Sequence, residues 1–125
     1  MQINDKLTSK NNQFEQITKT GRKINGKDEY IYYGIIDSLP NATSGSYPTP
    51  VLLSDIGFIS GFGGTAYRST DGSWFQFNCF RQTFNDGIGV QGVTMNGYMG
   101  FYIQTGTDRR NLKGYPWFTF TYKDN

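Results

Sequence analysis

The residues of this 125-residue chain that could touch a ligand are aromatic and charged side chains set beside turns. Trp74 follows the turn-like "STDGS" and Tyr98 follows "MNG". Asp108, Arg109 and Arg110 open the stretch "DRRNLKGYPWFTFTY", which continues into Tyr115 and Trp117. Indole and phenol rings can stack on the apolar face of a sugar, and nearby Asp, Asn or Arg can hydrogen-bond its hydroxyls. These seven residues form the candidate ligand-binding set. Each also has a plainer reading: a ring in the core or a subunit interface, or a turn charge in water.

Bond-making chemistry finds less support. The chain has no histidine, so the commonest general base and metal ligand are missing. Cys79 is the only cysteine, which excludes an intrachain disulfide or a thiolate zinc cluster, and its place in "WFQFNCF" reads as a small buried thiol. Hydrolysis by paired carboxylates needs two acids a few ångströms apart. Asp71 and Asp86 each precede glycine, and turn formation accounts for both. Asp37, Asp55 and Asp108 lie at strand ends or turns. "GFGG" at Gly61–Gly64 lacks the Lys-Ser/Thr ending of a phosphate loop, and no loop carries the repeated acidic spacing of a calcium site. No catalytic residue, metal or cofactor is expected. A net charge of +2 is too mild to argue for nucleic acid. No apolar run approaches a membrane span, and "MQINDKLTSKNNQ" has no signal-peptide core. A soluble protein made in a reducing cytoplasm is expected, in which the Asn41 sequon carries no glycan.

The elements that must position these residues are strands. Aromatics are 17% of the chain and glycines number 16, a texture of short strands and tight turns. "NG" at Asn25–Gly26 and Asn96–Gly97, "DG" at Asp71–Gly72 and "NDG" at Asn85–Gly87 are hairpin signals. "SLPNATSGSYPTP" reads as an irregular loop, and Val51–Gly64 as one strand with a glycine bend. Period-two alternation puts Phe75, Phe77 and Cys79 on a core face, with Trp74, Gln76, Asn78 and Phe80 opposite. It likewise predicts Phe101 and Ile103 on one face of their strand. In the last strand it predicts Phe118, Phe120 and Tyr122 toward the core, with Trp117, Thr119 and Thr121 away from it. Seven or eight such strands predict an all-β fold, an antiparallel β-sandwich over residues 21–125.

Residues 1–20 differ, having many Asn, Gln and Lys and neither proline nor glycine. Ile3, Leu7, Phe14 and Ile17 fall on a 4–3 spacing if Lys10 fills the missing core position, which is about two flawed heptads. Two readings stand: a helical stalk formed by association of chains, with those four residues in the oligomer contact, or an extended leader.

Two stretches carry a resemblance. "TGRKINGKDEYIYYGIIDSLPNATS" (Thr20–Ser44) and the ending "GFYIQTGTDRRNLKGYPWFTFTYKDN" are similar to segments of phage and prophage proteins, which pair a "T-G-x-x-I/W-x-G-K-x-x-Y" opening with "I-D-x-L-P-N-x-T" and a closing "TG-x-D-R" turn. The chain thus resembles small distal modules of tail-fibre-type virion appendage proteins. The middle, Thr49–Met99, shares only the texture. Two departures stand out: "SGSYPTP" replaces a loop that often carries lysine and a histidine-glycine pair, and "TFTY" lacks the acid that often precedes the tyrosine. The resemblance implies a sandwich behind a short stalk, commonly a homotrimer, made in the host bacterium and carried on the virion, where it attaches phage to a host surface glycan or protein. It transfers no receptor residues. The alternative is a structural or decorating virion protein, such as a head fibre, collar or baseplate piece, that binds other virion proteins through residues 1–20. A glycan depolymerase is disfavoured by the missing histidine and the unpaired acids.

Overall fold

The structure, a computed structural model, describes residues 14–79 and 87–124, excluding the side chains of Asn78 and Cys79. Ile3, Leu7, Lys10, Phe80, Asn85, Asp86 and the expected burial of the Cys79 thiol lie outside the described residues.

Among the described residues nine strands form: β1 (Ile17–Ile24), β2 (Lys27–Tyr33), β3 (Ser44–Leu52), β4 (Ile56–Arg68), β5 (Ser73–Gln76), β6 (Asn78–Cys79), β7 (Ile88–Met95), β8 (Tyr98–Thr105) and β9 (Lys113–Tyr122). They make a five-stranded sheet in the order β1-β2-β9-β4-β5 and a four-stranded sheet in the order β3-β8-β7-β6. The pairings between these nine strands are antiparallel except that of the two-residue β6 with β7. The all-β antiparallel sandwich is as the sequence predicts.

Local chemistry sets the hairpins. Asn25 and Gly26 have φ of 52° and 81°, and Asn96 and Gly97 have φ of 52° and 85°. Each dipeptide closes a two-residue turn, between Ile24 and Lys27 and between Met95 and Tyr98, because positive φ at both positions matches the twist of the flanking strands. The "DG" signal works differently. Arg68 pairs with Ser73, so the β4–β5 loop has four residues. Asp71 braces that loop by accepting from the Ser73 amide at 3.0 Å and from Arg68 Nε and Nη2 at 3.1 and 2.8 Å.

Three expectations are corrected. The second half of "SLPNATSGSYPTP" is strand β3, with Pro48 opposite Gly100; β3 is an edge strand, where a missing N–H on the outer side leaves no gap in the ladder. Val51–Gly64 is divided between β3 and β4 by a short 3₁₀ turn at Leu53–Asp55. Residues 17–20, expected in the leader, begin β1, where Ile17 pairs with Tyr32 and packs against the core.

The core lies between the sheets. On β9, Phe118 and Phe120 are fully buried and Tyr122 packs beside them. Phe101 of β8 reaches across to Phe118 edge-on, with centroids 5.7 Å apart, and stacks on Tyr32 of β2 at 6.3 Å. Ile88, Val90 and Ile103 complete the wall from β7 and β8. The chain crosses between sheets at buried Phe77, whose amide donates to the Gly64 carbonyl at 2.9 Å.

The opposite face of the five-stranded sheet holds a buried acid. Glu29 of β2 is 2% exposed. Its Oε1 accepts from Thr20 at 2.8 Å, and its Oε2 accepts from Arg22 at 3.0 Å and Ser60 at 2.6 Å. Ser60, having given its one proton to Glu29, accepts from Thr119 at 2.7 Å. The network therefore ties β1, β2, β9 and β4 together. The Ser60 hydroxyl above all, with Thr20 and Arg22, holds the Glu29 carboxyl below its ordinary range against the opposing effect of burial.

Two outcomes follow for stability. Phe118→Ala opens a cavity at the sheet–sheet contact and should cost about 4 kcal/mol in urea unfolding; a loss under about 1 kcal/mol would mean that the site refills. A carboxyl whose pKa is lowered by folding stabilises above its unfolded value, near 4.5, and that stability fades as pH falls through the folded value. Asp28, Asp71 and Asp108 are lowered too, so the comparison with a variant isolates Glu29. Glu29→Gln should flatten the acid limb of a stability–pH curve below pH 4.5; superimposable limbs would show that Glu29 titrates alike folded and unfolded.

Candidate functional site

β9 turns Tyr115 and Trp117 outward on the face that carries Glu29, further along the sheet. Strand register brings partners to them. Trp117 lies opposite Tyr33 of β2 and Gly63 of β4, and Tyr115 lies opposite Thr65 of β4. Tyr67 of β4 lies opposite Trp74 of β5. Rings from four segments thus share one surface at one end of the sheet.

The glycines of β4 explain how Trp117 is held. A Cβ on Gly63 would overlap the indole, meeting Cε2 at 2.7 Å, and one on Gly61 would lie 3.6 Å from Cζ3. The indole therefore lies across the bare backbone of β4, where any larger residue would displace it. Gly64 serves the other side, where a Cβ would meet Phe77 at 2.7 Å.

The remaining rings form a chain. Phe14 bridges to Tyr33 by backbone pairing and touches Tyr33 edge-on at 5.8 Å and Tyr115 at 5.1 Å. Trp74 lies 6.2 Å from Tyr115 and 4.7 Å from Tyr67. Phe14, Tyr33, Thr65, Trp74, Tyr115 and Trp117 line a groove of about 480 Å³. A cleft of about 970 Å³ adjoins it, sharing Thr65, Trp74 and Trp117 and running past Gln76 to Val90 and Gln91 of β7. Trp74 is 61% exposed, the most exposed large hydrophobic side chain among the described residues.

Of the seven residues singled out from sequence, Trp74, Tyr115 and Trp117 come together here. Tyr98 does not: it lies opposite Leu52 and Met95 on the four-stranded sheet. Asp108 and Arg110 form a bidentate pair, with Nε–Oδ1 at 2.9 Å and Nη2–Oδ2 at 2.7 Å. The guanidinium beside Asp108 and the Arg110 amide pull its carboxyl down to about 2. Arg109 lies 5.3 Å from the centre of the Phe75 ring, and Arg68 lies 5.2 Å from the same ring, a cation–π use of both charges. The loop of Asp108, Arg109 and Arg110 is tied to its neighbour through the Arg109 amide and the Pro40 carbonyl and through the Ser38 hydroxyl and the Arg110 carbonyl. Phe14 and Ile17, placed in an oligomer contact by heptad spacing, take positions in the β domain: Phe14 in the groove and Ile17 against the core.

Tyr33 and Tyr67 were not legible as ligand-site residues, and Phe14 was read only as an oligomer contact. Alternation in "EYIYY" separates Tyr33 from Tyr32, but only the pairing of β2 with β9 shows that its face is the one carrying Trp117. The lining offers rings, a threonine hydroxyl and two glutamine amides, which suit stacking and hydrogen bonding. Among the described residues no three His, Cys, Asp or Glu side chains group to hold a metal, and no helix is long and apolar enough to cross a membrane.

The glycine account is testable by fluorescence. Gly63→Ala should dislodge Trp117, shift tryptophan emission to the red and cost about 1–3 kcal/mol. Gly61→Ala, whose Cβ meets its nearest atom at 3.3 Å, should do distinctly less; equal effects would show that the indole does not rest on Gly63.

Compared with known proteins, the chain matches no family model, no curated protein and no solved structure.

Proposed function

We propose that this protein is a non-enzymatic attachment module of a virion appendage, binding a host surface glycan or protein through the outer face of its five-stranded sheet. The observation that carries the reading is the open groove in which Trp74 stands exposed between Tyr67 and Tyr115 while Trp117 is held flat on Gly63. A ring that contributes little to the core and is already fixed in orientation costs little to order on binding. The ordered motifs at both ends of the domain, similar to those of tail-fibre-type proteins, support the virion location and a trimeric assembly. Two of the candidate acids, Asp71 and Asp108, are held by Arg68 and Arg110, which supports the non-enzymatic reading.

Phe14 favours a second reading. It brings the N-terminal segment onto the same aromatic patch, so this face would instead dock onto other virion proteins in a structural or decorating role.

Labelled protein should bind cells of a susceptible bacterial strain. Trp74→Ala should abolish most of that binding while changing stability by no more than about 0.5 kcal/mol, as expected of an exposed residue. Binding to purified virions but to no cells would favour the docking role, and full cell binding by Trp74→Ala would remove the groove from attachment.

A further inference from the structure

Resting on the attachment reading, we propose that the groove and its adjoining cleft take an uncharged oligosaccharide, bound across two contiguous subsites that share the Trp74 and Trp117 wall.

The ligand class follows from what lines the two cavities. Their described residues are aromatic, aliphatic, glycine, threonine and glutamine, with no charged side chain among the described residues of either lining. Among the described residues, the nearby charges are engaged elsewhere: Arg68 with Asp71 and Phe75, Arg109 on Phe75, and Lys113 3.8 Å from Asp37. A sialic or uronic acid carboxylate brought against these walls would lose water without gaining a counter-charge, a cost that a neutral ring avoids. A pyranose offers what the lining lacks, an apolar face of C–H groups for stacking and a rim of hydroxyls that both donate and accept. Thr65, Gln76 and Gln91 make no side-chain hydrogen bond among the described residues, and each can donate and accept. A purely apolar partner chain would bury those groups unsatisfied.

The length follows from geometry. Each cavity falls within the range of small-molecule sites, about 300–1,000 Å³, at about 480 and 970 Å³. Tyr33, Phe14 and Tyr115 wall the first, on the outer face of one sheet. Gln76 and Gln91 flank the second from opposite sheets, where the chain crosses at Phe77. A glycan filling both would pass the shared Trp74–Trp117 wall, so its affinity would rise on extension from one sugar to several.

A glycan array bearing neutral and acidic oligosaccharides, read with the full chain and followed by calorimetry on the mono-, di- and tetrasaccharide of any positive glycan, tests this. Expected are signals on uncharged glycans and an affinity gain of at least about tenfold from mono- to tetrasaccharide. A loss of about tenfold or more is expected in Trp74→Ala, and a several-fold loss in Gln91→Ala, scaled to an aromatic contact and a hydrogen bond. Preference for acidic glycans overturns the charge argument, and equal affinity for mono- and tetrasaccharide overturns the two subsites. Neutral binding indifferent to Trp74→Ala overturns the location. A blank array from a protein that still binds cells overturns the glycan while leaving attachment standing; a protein that binds no cells sinks the attachment reading beneath it.

Discussion

The contact between Phe118 and Phe101 joins the two sheets, and the placement of the rest depends on it. Phe118 belongs to β9, which pairs with β2 on one side and β4 on the other. Fixing its ring against Phe101 at 5.7 Å sets which residues of β9 point inward, and period-two geometry then leaves no choice about Trp117 and Tyr115. A slip of one residue would bury Trp117 and expose Phe118, at the cost of the core. The same constraint that folds the domain therefore aims its candidate binding rings.

The outer face that results is uneven. At one end Glu29, Thr20, Arg22, Ser60 and Thr119 satisfy one another and tie four strands with hydrogen bonds. At the other end the rings of Tyr33, Tyr67, Tyr115, Trp117 and Trp74 meet, with Phe14 packed against Tyr33 and Tyr115 and Trp74 exposed. Buried polar groups that are fully paired add rigidity, and rigidity beneath a set of rings favours binding because less freedom is lost when a ligand arrives. The glycines of β4 add to this. By removing side chains from the strand beside β9, they let the indole of Trp117 lie down where it would otherwise stand up into solvent.

Much of the fold was legible because it is set locally. Asn25–Gly26 and Asn96–Gly97 declare their turns through a φ requirement that few other residues meet, and "YPWFTFTY" declares its two faces through alternation. What escaped depends on partners distant in sequence. Pro48 and Pro50 suggest a loop until β3 is known to be an edge strand. Phe75 and Phe77 share a face by alternation, yet the chain changes sheets at Phe77. Glu29 looks like one more surface acid in "GKDEYIYY" until Ser60 is brought to it from 31 residues away. The candidate site was read in part: Trp74, Tyr115 and Trp117 were identifiable by type, whereas Asp108, Arg109 and Arg110 were drawn in by charge that the structure uses within their own loop and on Phe75.

The chain contains two tryptophans, and both line the groove, so acrylamide quenching of selectively excited tryptophan fluorescence reports on the proposed site. The decisive measurement is quenching of the full chain with and without surface polysaccharide extracted from a strain that the protein binds. Attachment through this face predicts that the polysaccharide lowers the quenching constant and shifts emission to the blue, as both indoles lose contact with water. Unchanged quenching under conditions where the protein is fully bound would place the attachment surface elsewhere on the molecule.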